Sequence, residues 1–296
     1  MKYLLLFVLT LTLAIAEAQD TLQVTEVQKT FSKGQHTGFS VLIPQAKLKE
    51  VTSDWKKYQR EKNKSDYDEV KGEHILSKTI IPEISTDSII VYSTLSATTT
   101  QINLVVFVTG NDSVFYNSTI DPSISGKINT YIRNFAVHQY RNAVTDELAL
   151  EQKTLKSIED DIESLEKDNE KMEKKIKNNE RDISNLESEI KSNLNEQEIN
   201  SKAIYHQQQI VATFLEKSDL KSQEEDKLKD LEKIKKKLVK QNNGFHNDID
   251  DLESDNKSLK KKIATNEDDN IPLKKSDKDK QRLKIANVEV KLKGIQ

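Results

Sequence analysis

The chain has 296 residues, a formal net charge of −3 and no cysteine. The absence of cysteine excludes disulfide bonds and the acylated cysteine of a bacterial lipoprotein. The near balance of acidic and basic residues gives no global electrostatic signal, and the basic segments lack the interleaved aromatic residues of a nucleic-acid interface.

Residues 1–18 have the pattern of a secretory signal peptide. Lys2 supplies the positive start, the residues from Tyr3 to Ala16 are almost all apolar, and Ala16 and Ala18 are the small residues of a cleavage site. The apolar core of about 14 residues is shorter than the roughly 20 residues of a membrane-spanning helix. We therefore expect cleavage after Ala18 and a periplasmic or secreted protein with no integral membrane segment. An uncleaved N-terminal anchor is the alternative.

Residues 19–145 have the composition of a small globular domain, with the only tryptophan and most of the aromatic and glycine residues. Alternating apolar residues predict a strand over residues 39–43. Apolar residues at helical spacing from Leu48 to Tyr58 predict a helix. Further strands are predicted around residues 73–81, 88–95, 102–108 and 113–117. This order predicts an α+β domain, a small antiparallel sheet with helices on one face.

Short motifs in this domain carry a resemblance to a known kind of protein. They are Lys33-Gly34, Gly38-Phe39-Ser40-Val41, Ile43-Pro44, Trp55, Lys57-Tyr58 and Lys71-Gly72-Glu73. The pattern resembles the N-terminal region of uncharacterised exported bacterial proteins in which a small α+β domain precedes a long coiled coil. The resemblance covers most of residues 30–220. It implies architecture and export, and no activity is attached to it.

A long helix follows the domain. Asp121 as N-cap and Pro122 at the first helical position predict its start. Residues 146–217 then form a long coiled-coil helix, because apolar residues recur with the 3.5-residue period of a heptad repeat. The a positions are Leu148, Leu155, Ile162, Asn169, Ile176, Ile183, Ile190, Gln197, Ile204 and Val211. The d positions are Ile158, Leu165, Met172, Asn179, Leu186, Asn193, Asn200, Gln207 and Phe214.

A second coiled-coil helix is predicted over residues 218–266, in a phase shifted by three residues. Its a positions are Leu228, Lys235, Asn242, Ile249, Asn256 and Ile263, and its d positions are Leu231, Leu238, Phe245, Leu252 and Leu259. A turn near Ser218-Asp219 would produce this shift and fold the chain into an antiparallel hairpin. A stammer in one continuous coil would also produce it. The hairpin is the favoured topology, and the continuous coil stays open.

The e and g positions that flank the first seam are mostly acidic. They are Glu159, Glu166, Glu173, Glu180 and Glu187 at e, and Asp161, Asp168, Lys175, Asp182 and Glu189 at g. In a parallel homodimer most of these side chains would face like charges, which mildly disfavours that assembly. A homo-oligomer of another geometry remains open.

The last segment, residues 267–296, is basic. Ile271-Pro272 predicts the end of the coil, since proline interrupts helices. We expect a lysine-rich linker and then a short C-terminal strand or helix over residues 283–292. A strand here would be able to add to the sheet edge.

No pattern in the sequence predicts catalysis. His36, His74, His138, His206 and His246 lack the spacing of a metal site. The acidic cluster Asp248, Asp250, Asp251, Glu253 and Asp255 lacks the glycine turn of a calcium loop. We expect no catalytic, cofactor-binding or metal-ligating residue, and a solvated helix face for the acidic cluster.

These observations predict a non-enzymatic, exported structural or adaptor protein of the cell envelope. Its partners would be proteins that bind the coiled coil through helix–helix contacts. Two alternatives are a holdase-type periplasmic chaperone and a coiled-coil regulator of an envelope enzyme such as a cell-wall hydrolase.

Overall fold

The computed structural model describes residues 22–60, 66–214 and 219–295. The predicted signal peptide lies outside these residues. The strands are β1 Thr25–Phe31, β2 Gly34–Pro44, β3 Asp66–Val70, β4 Glu73–Thr79, β5 Ile89–Ala97 and β6 Gln101–Thr109. The helices are α1 Leu48–Arg60, α2 Pro122–Thr213, α3 Asp219–Thr265 and α4 Ile271–Gly294, with a π-helical turn at Asn266–Asn270 between the last two.

The chain divides into two compact units. The sheet unit comprises Met1–Lys156 and Asp279–Gln296, and the hairpin unit comprises Ser157–Lys278. Both boundaries fall inside helices: the first is in α2, later than the expected domain end at residue 145, and the second is in α4.

The sheet unit confirms the α+β prediction. Its six strands are all antiparallel, in the order β1-β2-β6-β5-β4-β3. Alternate residues of the central strands, such as Val41 and Leu104, point into the main core and are almost fully buried. The helices supply the other half of this core, for example Trp55 of α1 and Phe135 of α2. The helices therefore cover one face of the sheet.

Two strands were not predicted from the sequence, and one predicted strand is absent. β1 pairs with β2, and β3 pairs with β4, so both are edge strands. Their polar and charged residues hide the alternation that reveals a half-buried strand. The expected strand at residues 113–117 is wrong, since only a single bridge joins Thr109 to Phe115 there.

An aromatic cluster covers the other face of the sheet. The ring of Phe31 stacks on that of Phe107 with centroids 4.2 Å apart, and Phe115 meets Phe31 edge-on at 5.6 Å. Gly38 makes room for this arrangement, because a Cβ atom at this position would lie 2.6 Å from the Phe107 ring. This face therefore has a small core of its own.

The start of α2 agrees with the prediction. The Ile124 backbone N–H donates to the Asp121 side chain at 3.0 Å, which is the expected N-cap bond. The helix then continues without interruption to Thr213.

The structure corrects the expected C-terminal linker, because residues 271–294 are helical. The backbone N–H of Ile271 bonds to the carbonyl of Asn266, an i to i−5 bond that widens the helix just before Pro272. The wide turn lies where the proline ring would otherwise meet the carbonyl four residues earlier. The helix therefore continues past a residue that normally stops one.

The end of α4 packs into the sheet unit as a helix, not as an added strand. Val288 and Ile295 are buried in the main core, and Leu292 packs against it. The Arg141 guanidinium donates to the Ile295 carbonyl at 2.8 Å. Leu283 and Val290, which also lie in the segment for which a strand or a helix was expected, are exposed.

Candidate functional site

The hairpin unit is an antiparallel pair of helices, as the favoured topology predicted. Residues that come later in α2 contact residues that come earlier in α3. The contacts that show this are Asn179 with Asn256, Asn200 with the Leu231 carbonyl, and Gln207 with the Glu224 carbonyl. The second helix of the coil therefore comes from the same chain.

The predicted heptad positions form the seam between the two helices. Ile162, Ile176 and Leu259 are buried, and each is 8% exposed. Every a and d residue named above is buried or half-buried, with the single exception of Lys235. The period-3.5 pattern thus located the seam before the partner helix was known.

Asparagine and glutamine occupy many seam positions and bond across the seam. Asn179 donates to Asn256 at 2.8 Å and to Asp255 at 3.0 Å. Asn266 donates to Asn169 at 2.7 Å. A buried polar pair is satisfied only when the two helices keep one alignment, so these bonds favour a single register.

Ion pairs line both edges of the seam. Four acidic e and g residues of α2 pair with lysines of α3 and α4, and in a fifth pair Lys175 of α2 meets an aspartate of α3. The pairs are Glu180 with Lys260, Lys175 with Asp255, Glu166 with Lys275, Asp161 with Lys274, and Glu159 with Lys278. Each exposed pair is worth about 0–1 kcal/mol. The acidic edge and the basic C-terminal segment, which were noted separately in the sequence, are complementary.

The π turn shifts the seam by one residue. Before it, the heptad places an a position at residue 270, whereas the residue that is buried is Ile271. The later seam residues then follow at three- and four-residue steps, as Lys274, Lys278, Gln281, Ile285, Val288, Leu292 and Ile295. The extra residue in the π turn therefore moves the heptad positions by one residue. For this reason the heptad pattern of residues 228–263 does not predict the seam residues after residue 270.

The seam is most open near the turn of the hairpin. Here an exposed lysine, Lys235, occupies a core position, and the Oδ1 atom of Asn242 is buried with no hydrogen-bond partner within the described chain. Beside it lies a groove of about 590 Å³, which we call the turn-end groove. It is lined by Ile204, Gln208, Glu232, Lys235, Lys236, Val239, Lys240 and Asn243.

The turn-end groove combines apolar side chains, three lysines and one acidic residue, Glu232. Val239 is 40% exposed and supplies most of the apolar surface, beside the buried Ile204. None of Lys235, Lys236 and Lys240 makes an ion pair within residues 22–60, 66–214 and 219–295. This surface suits the apolar stripe of a helix with acidic flanks.

The histidines lie apart. His74 is buried, its Nδ1 atom is 2.6 Å from the Tyr67 hydroxyl, and burial lowers its pKa. Burial also raises the pKa of Tyr67 to about 12. The His36 ring packs on the Phe115 ring, and the Nε2 atom of His138 lies 3.3 Å from the Nδ2 atom of Asn142. His206 and His246 are exposed.

In the acidic cluster Asp255 is already paired. Hydrogen bonds from Lys175 and Asn179 hold the pKa of Asp255 below its ordinary value. Across the described ranges, no three His, Asp or Glu side chains are placed to hold a metal ion. No described helix is long and apolar enough to cross a bilayer.

The candidate site is therefore a surface of the coil, the turn-end groove. Sequence analysis placed Lys235 at a core position, which is a local signal for an open seam. It did not identify the groove, because the groove needs residues from two helices whose alignment was open. No family model, curated protein or solved structure matches this chain.

Proposed function

We propose that this protein is a non-enzymatic, exported adaptor of the cell envelope that binds an acidic amphipathic helix of a partner protein in the turn-end groove. The observation that carries the proposal is the groove itself, with Ile204 and Val239 between lysines that have no ion-pair partner among the described residues. An apolar stripe on the incoming helix would cover Val239, and its acidic flank would meet Lys235 and Lys240.

The seam next to the groove supports this role. Lys235 leaves it without an apolar residue at one core position, and Asn242 is incompletely hydrogen-bonded there. A third helix that brings a carboxylate to Lys235 would give this lysine an ion-pair partner at the open core position. Binding energy then comes from completing a seam, and no chemical step is required.

The binding test uses two synthetic helices. One has leucine at a and d with glutamate at e and g, and the other carries lysine in place of glutamate. We expect the acidic helix to bind the full chain at least about tenfold more tightly than the basic helix, by isothermal titration calorimetry. Equal affinity for the two helices would contradict the proposed partner chemistry.

A matched pair of variants locates the binding. Val239→Glu places a charge in the groove, whereas Ile199→Glu changes an apolar residue that is 59% exposed outside it. We expect Val239→Glu to weaken binding of the acidic helix about tenfold and Ile199→Glu to leave it unchanged. Equal effects of the two substitutions would place the site elsewhere.

Export is tested separately. Residues 1–18 support cleavage by a signal peptidase, which would give a mature chain beginning at Gln19. Mass spectrometry of the protein recovered from a bacterial periplasm measures this. A mass that retains residues 1–18 would favour the uncleaved anchor.

A holdase-type chaperone is the second candidate, favoured by exposed apolar residues around the turn end of the hairpin. They are Leu194, Ile199, Tyr205, Leu220 and Ile234. Such scattered apolar surface is able to contact an unfolded chain. Suppression of aggregation of an unfolded outer-membrane protein tests this function, and no effect at stoichiometric excess would exclude it.

A further inference from the structure

The outer face of α3 carries charged side chains that make no ion pair with any described residue of the chain. Early in the helix, lysines pair with an acid three residues before them, as Glu224 with Lys227, Asp226 with Lys229, and Asp230 with Lys233. Lys236, Lys237, Asp250 and Asp251 are exposed and make no such pair within the described residues. The helix therefore changes from locally balanced to locally unbalanced charge.

Neighbouring positions explain the missing pairs of Lys237 and Asp250, whereas Lys236 has Glu232 four residues before it and makes no ion pair with it. A side chain on a helix reaches residues three and four positions away. Those neighbours of Lys237 are Lys233, Ile234, Lys240 and Gln241, and those of Asp250 are His246, Asn247, Glu253 and Ser254. None of the neighbours of Lys237 is acidic, and none of the neighbours of Asp250 is a lysine or an arginine. Both residues also occupy outer heptad positions, which face away from α2.

The two unbalanced pairs are related by symmetry. Lys236 and Asp250 are both b positions, and Lys237 and Asp251 are both c positions, two heptads later. The midpoint between the pairs falls between Asn243 and Gly244. When a second α3 lies antiparallel across this midpoint, each flank of the face meets the same flank of the second copy, so Lys236 meets Asp250 of the second copy and Lys237 meets its Asp251.

Most of the outer face from Asp226 to Lys261 is complementary in this alignment. About the same midpoint, b positions face b positions, c positions face c positions and f positions face f positions. The facing residues are Lys236 with Asp250 at b, Lys237 with Asp251 and Asp230 with Ser258 at c, and Asp226 with Lys261, Lys233 with Ser254 and Lys240 with Asn247 at f. Lys229 with Lys257 is the one like-charged pair among these positions.

Alignments shifted by one heptad are less favourable. A shift in one direction places Lys240 against its own copy and Asp230 against Asp251. The opposite shift places Lys236 against Lys257 and Lys233 against Lys261. Both shifts also lose the attraction of Lys236 for Asp250 and of Lys237 for Asp251, so the charge pattern favours the central alignment over either shift.

Gly244 occupies the centre of this face. Glycine disfavours a helix interior, and a Cβ atom here would have no neighbour within 4 Å in this chain. Packing within the chain therefore does not require glycine at residue 244. A glycine at the crossing point allows the backbones of two helices to approach closely.

We propose that the outer face of α3, residues 226–261, binds the same face of a second copy of this chain in an antiparallel, two-fold symmetric pair. The partner is identified by charge complementarity along the face and by the glycine at its centre. Because the contacts are exposed ion pairs, the association is weak and sensitive to salt.

Salt dependence gives the first test. In sedimentation equilibrium at about 50 mM salt, the mass of the chain from Gln19 to Gln296 rises with concentration from the mass of one chain towards twice that value. At about 500 mM salt it returns to the mass of a single chain. A single-chain mass at low salt and all concentrations up to roughly 0.5 mM would overturn the proposal.

Charge reversal gives the second test. Lys236→Asp/Lys237→Asp makes the central face wholly acidic, and Asp250→Lys/Asp251→Lys makes it wholly basic. We expect each variant alone to stay monomeric at low salt and an equal mixture of the two to form a heterodimer. Variants that still dimerise alone, or a mixture that remains monomeric while both retain wild-type helical circular dichroism, would refute the alignment.

Cysteine cross-linking gives a third test, which reports the alignment directly. The native chain has no cysteine, so one introduced thiol is unique. Two copies of Asn243→Cys meet at the two-fold axis, whereas two copies of Ser254→Cys lie roughly 30 Å apart along the helix. We expect oxidation at low salt to join two copies of the Asn243→Cys variant by a disulfide bond and to leave the Ser254→Cys variant monomeric. The reverse pattern would exclude this symmetry.

The proposed pairing and the proposed adaptor function share Lys236, Lys240 and Asn243, which line the groove and also lie on the paired face, so a substitution at Val239 is needed to distinguish them. Val239→Glu blocks the turn-end groove but lies outside the paired face, so the dimer mass is unchanged. If Val239→Glu abolished dimerisation, the groove itself would be the contact between copies and the proposed outer-face pairing would be wrong.

Discussion

The sheet unit buries large apolar and aromatic side chains, whereas the hairpin seam repeatedly buries amides. Trp55, Phe107 and Phe135 are 0–1% exposed, and Asn179 and Asn256 in the seam are 7% and 6% exposed. Apolar burial contributes most of the stability of a domain but is not directional. Amide pairs contribute less and depend on alignment. The apolar interior of the sheet unit therefore mainly stabilises its fold, whereas the amide pairs of the hairpin unit mainly fix the alignment of its two helices.

The largest effect is expected in the sheet core. Trp55→Ala removes a ring that contacts Phe135 at 4.8 Å and an indole N–H that donates to Ser93 at 2.8 Å. We expect the free energy of unfolding to fall by about 3–5 kcal/mol. Chemical denaturation followed by circular dichroism measures this, and the exposed substitution Lys57→Ala is the control. A loss below about 1 kcal/mol would show that the core is not close-packed.

A smaller effect is expected on the opposite face of the sheet. Gly38→Ala drives a methyl group into the Phe107 ring, so the free energy of unfolding should fall by about 1–3 kcal/mol. Gly126→Ala is the matched control, because a Cβ atom there meets nothing within 4 Å and alanine favours the helix. Thermal melts of the two variants should move in opposite directions. A shift of the same sign in both would contradict the packing argument.

The hairpin seam should respond differently. Asn179→Leu leaves Asn256 without its cross-helix partner, and we expect a loss of roughly 1 kcal/mol, since the buried leucine offsets part of the cost. The double change Asn179→Leu/Asn256→Leu should recover stability to wild type or above, because two apolar residues then face each other. A double-mutant cycle measures the coupling. Additive losses would show that the amide pair does not act as a unit.

The smallest effect is a pH dependence in the sheet unit. Burial lowers the pKa of His74, so the folded state binds fewer protons at this residue than the unfolded state. Its contribution is complete above the unfolded pKa of about 6.5 and declines as pH falls through the lowered folded value. We expect His74→Gln to flatten the fall in melting temperature between about pH 7.5 and 5.5. An identical pH profile in wild type and variant would exclude this role.

Much of the architecture was readable from local pattern, and the exceptions have physical reasons. The strand ending at Pro44, the helix from Leu48 and the cap at Asp121 each follow from neighbouring residues, and each is confirmed. Strand β3 was missed because its charged edge residues mask alternation. The helix after Pro272 was missed because a π turn both accommodates the proline and moves the seam by one residue.

The sequence by itself determined the seam residues between Leu148 and Ile263, apart from the exposed Lys235, because a 3.5-residue period follows from the geometry of a single helix. It also determined the complementary acidic and basic segments. Only the tertiary structure decided that these segments belong to one hairpin, that the last helix returns to the sheet unit, and that an open groove lies beside Lys235. These features depend on the free energy of packing residues far apart in the chain, which a local period does not contain.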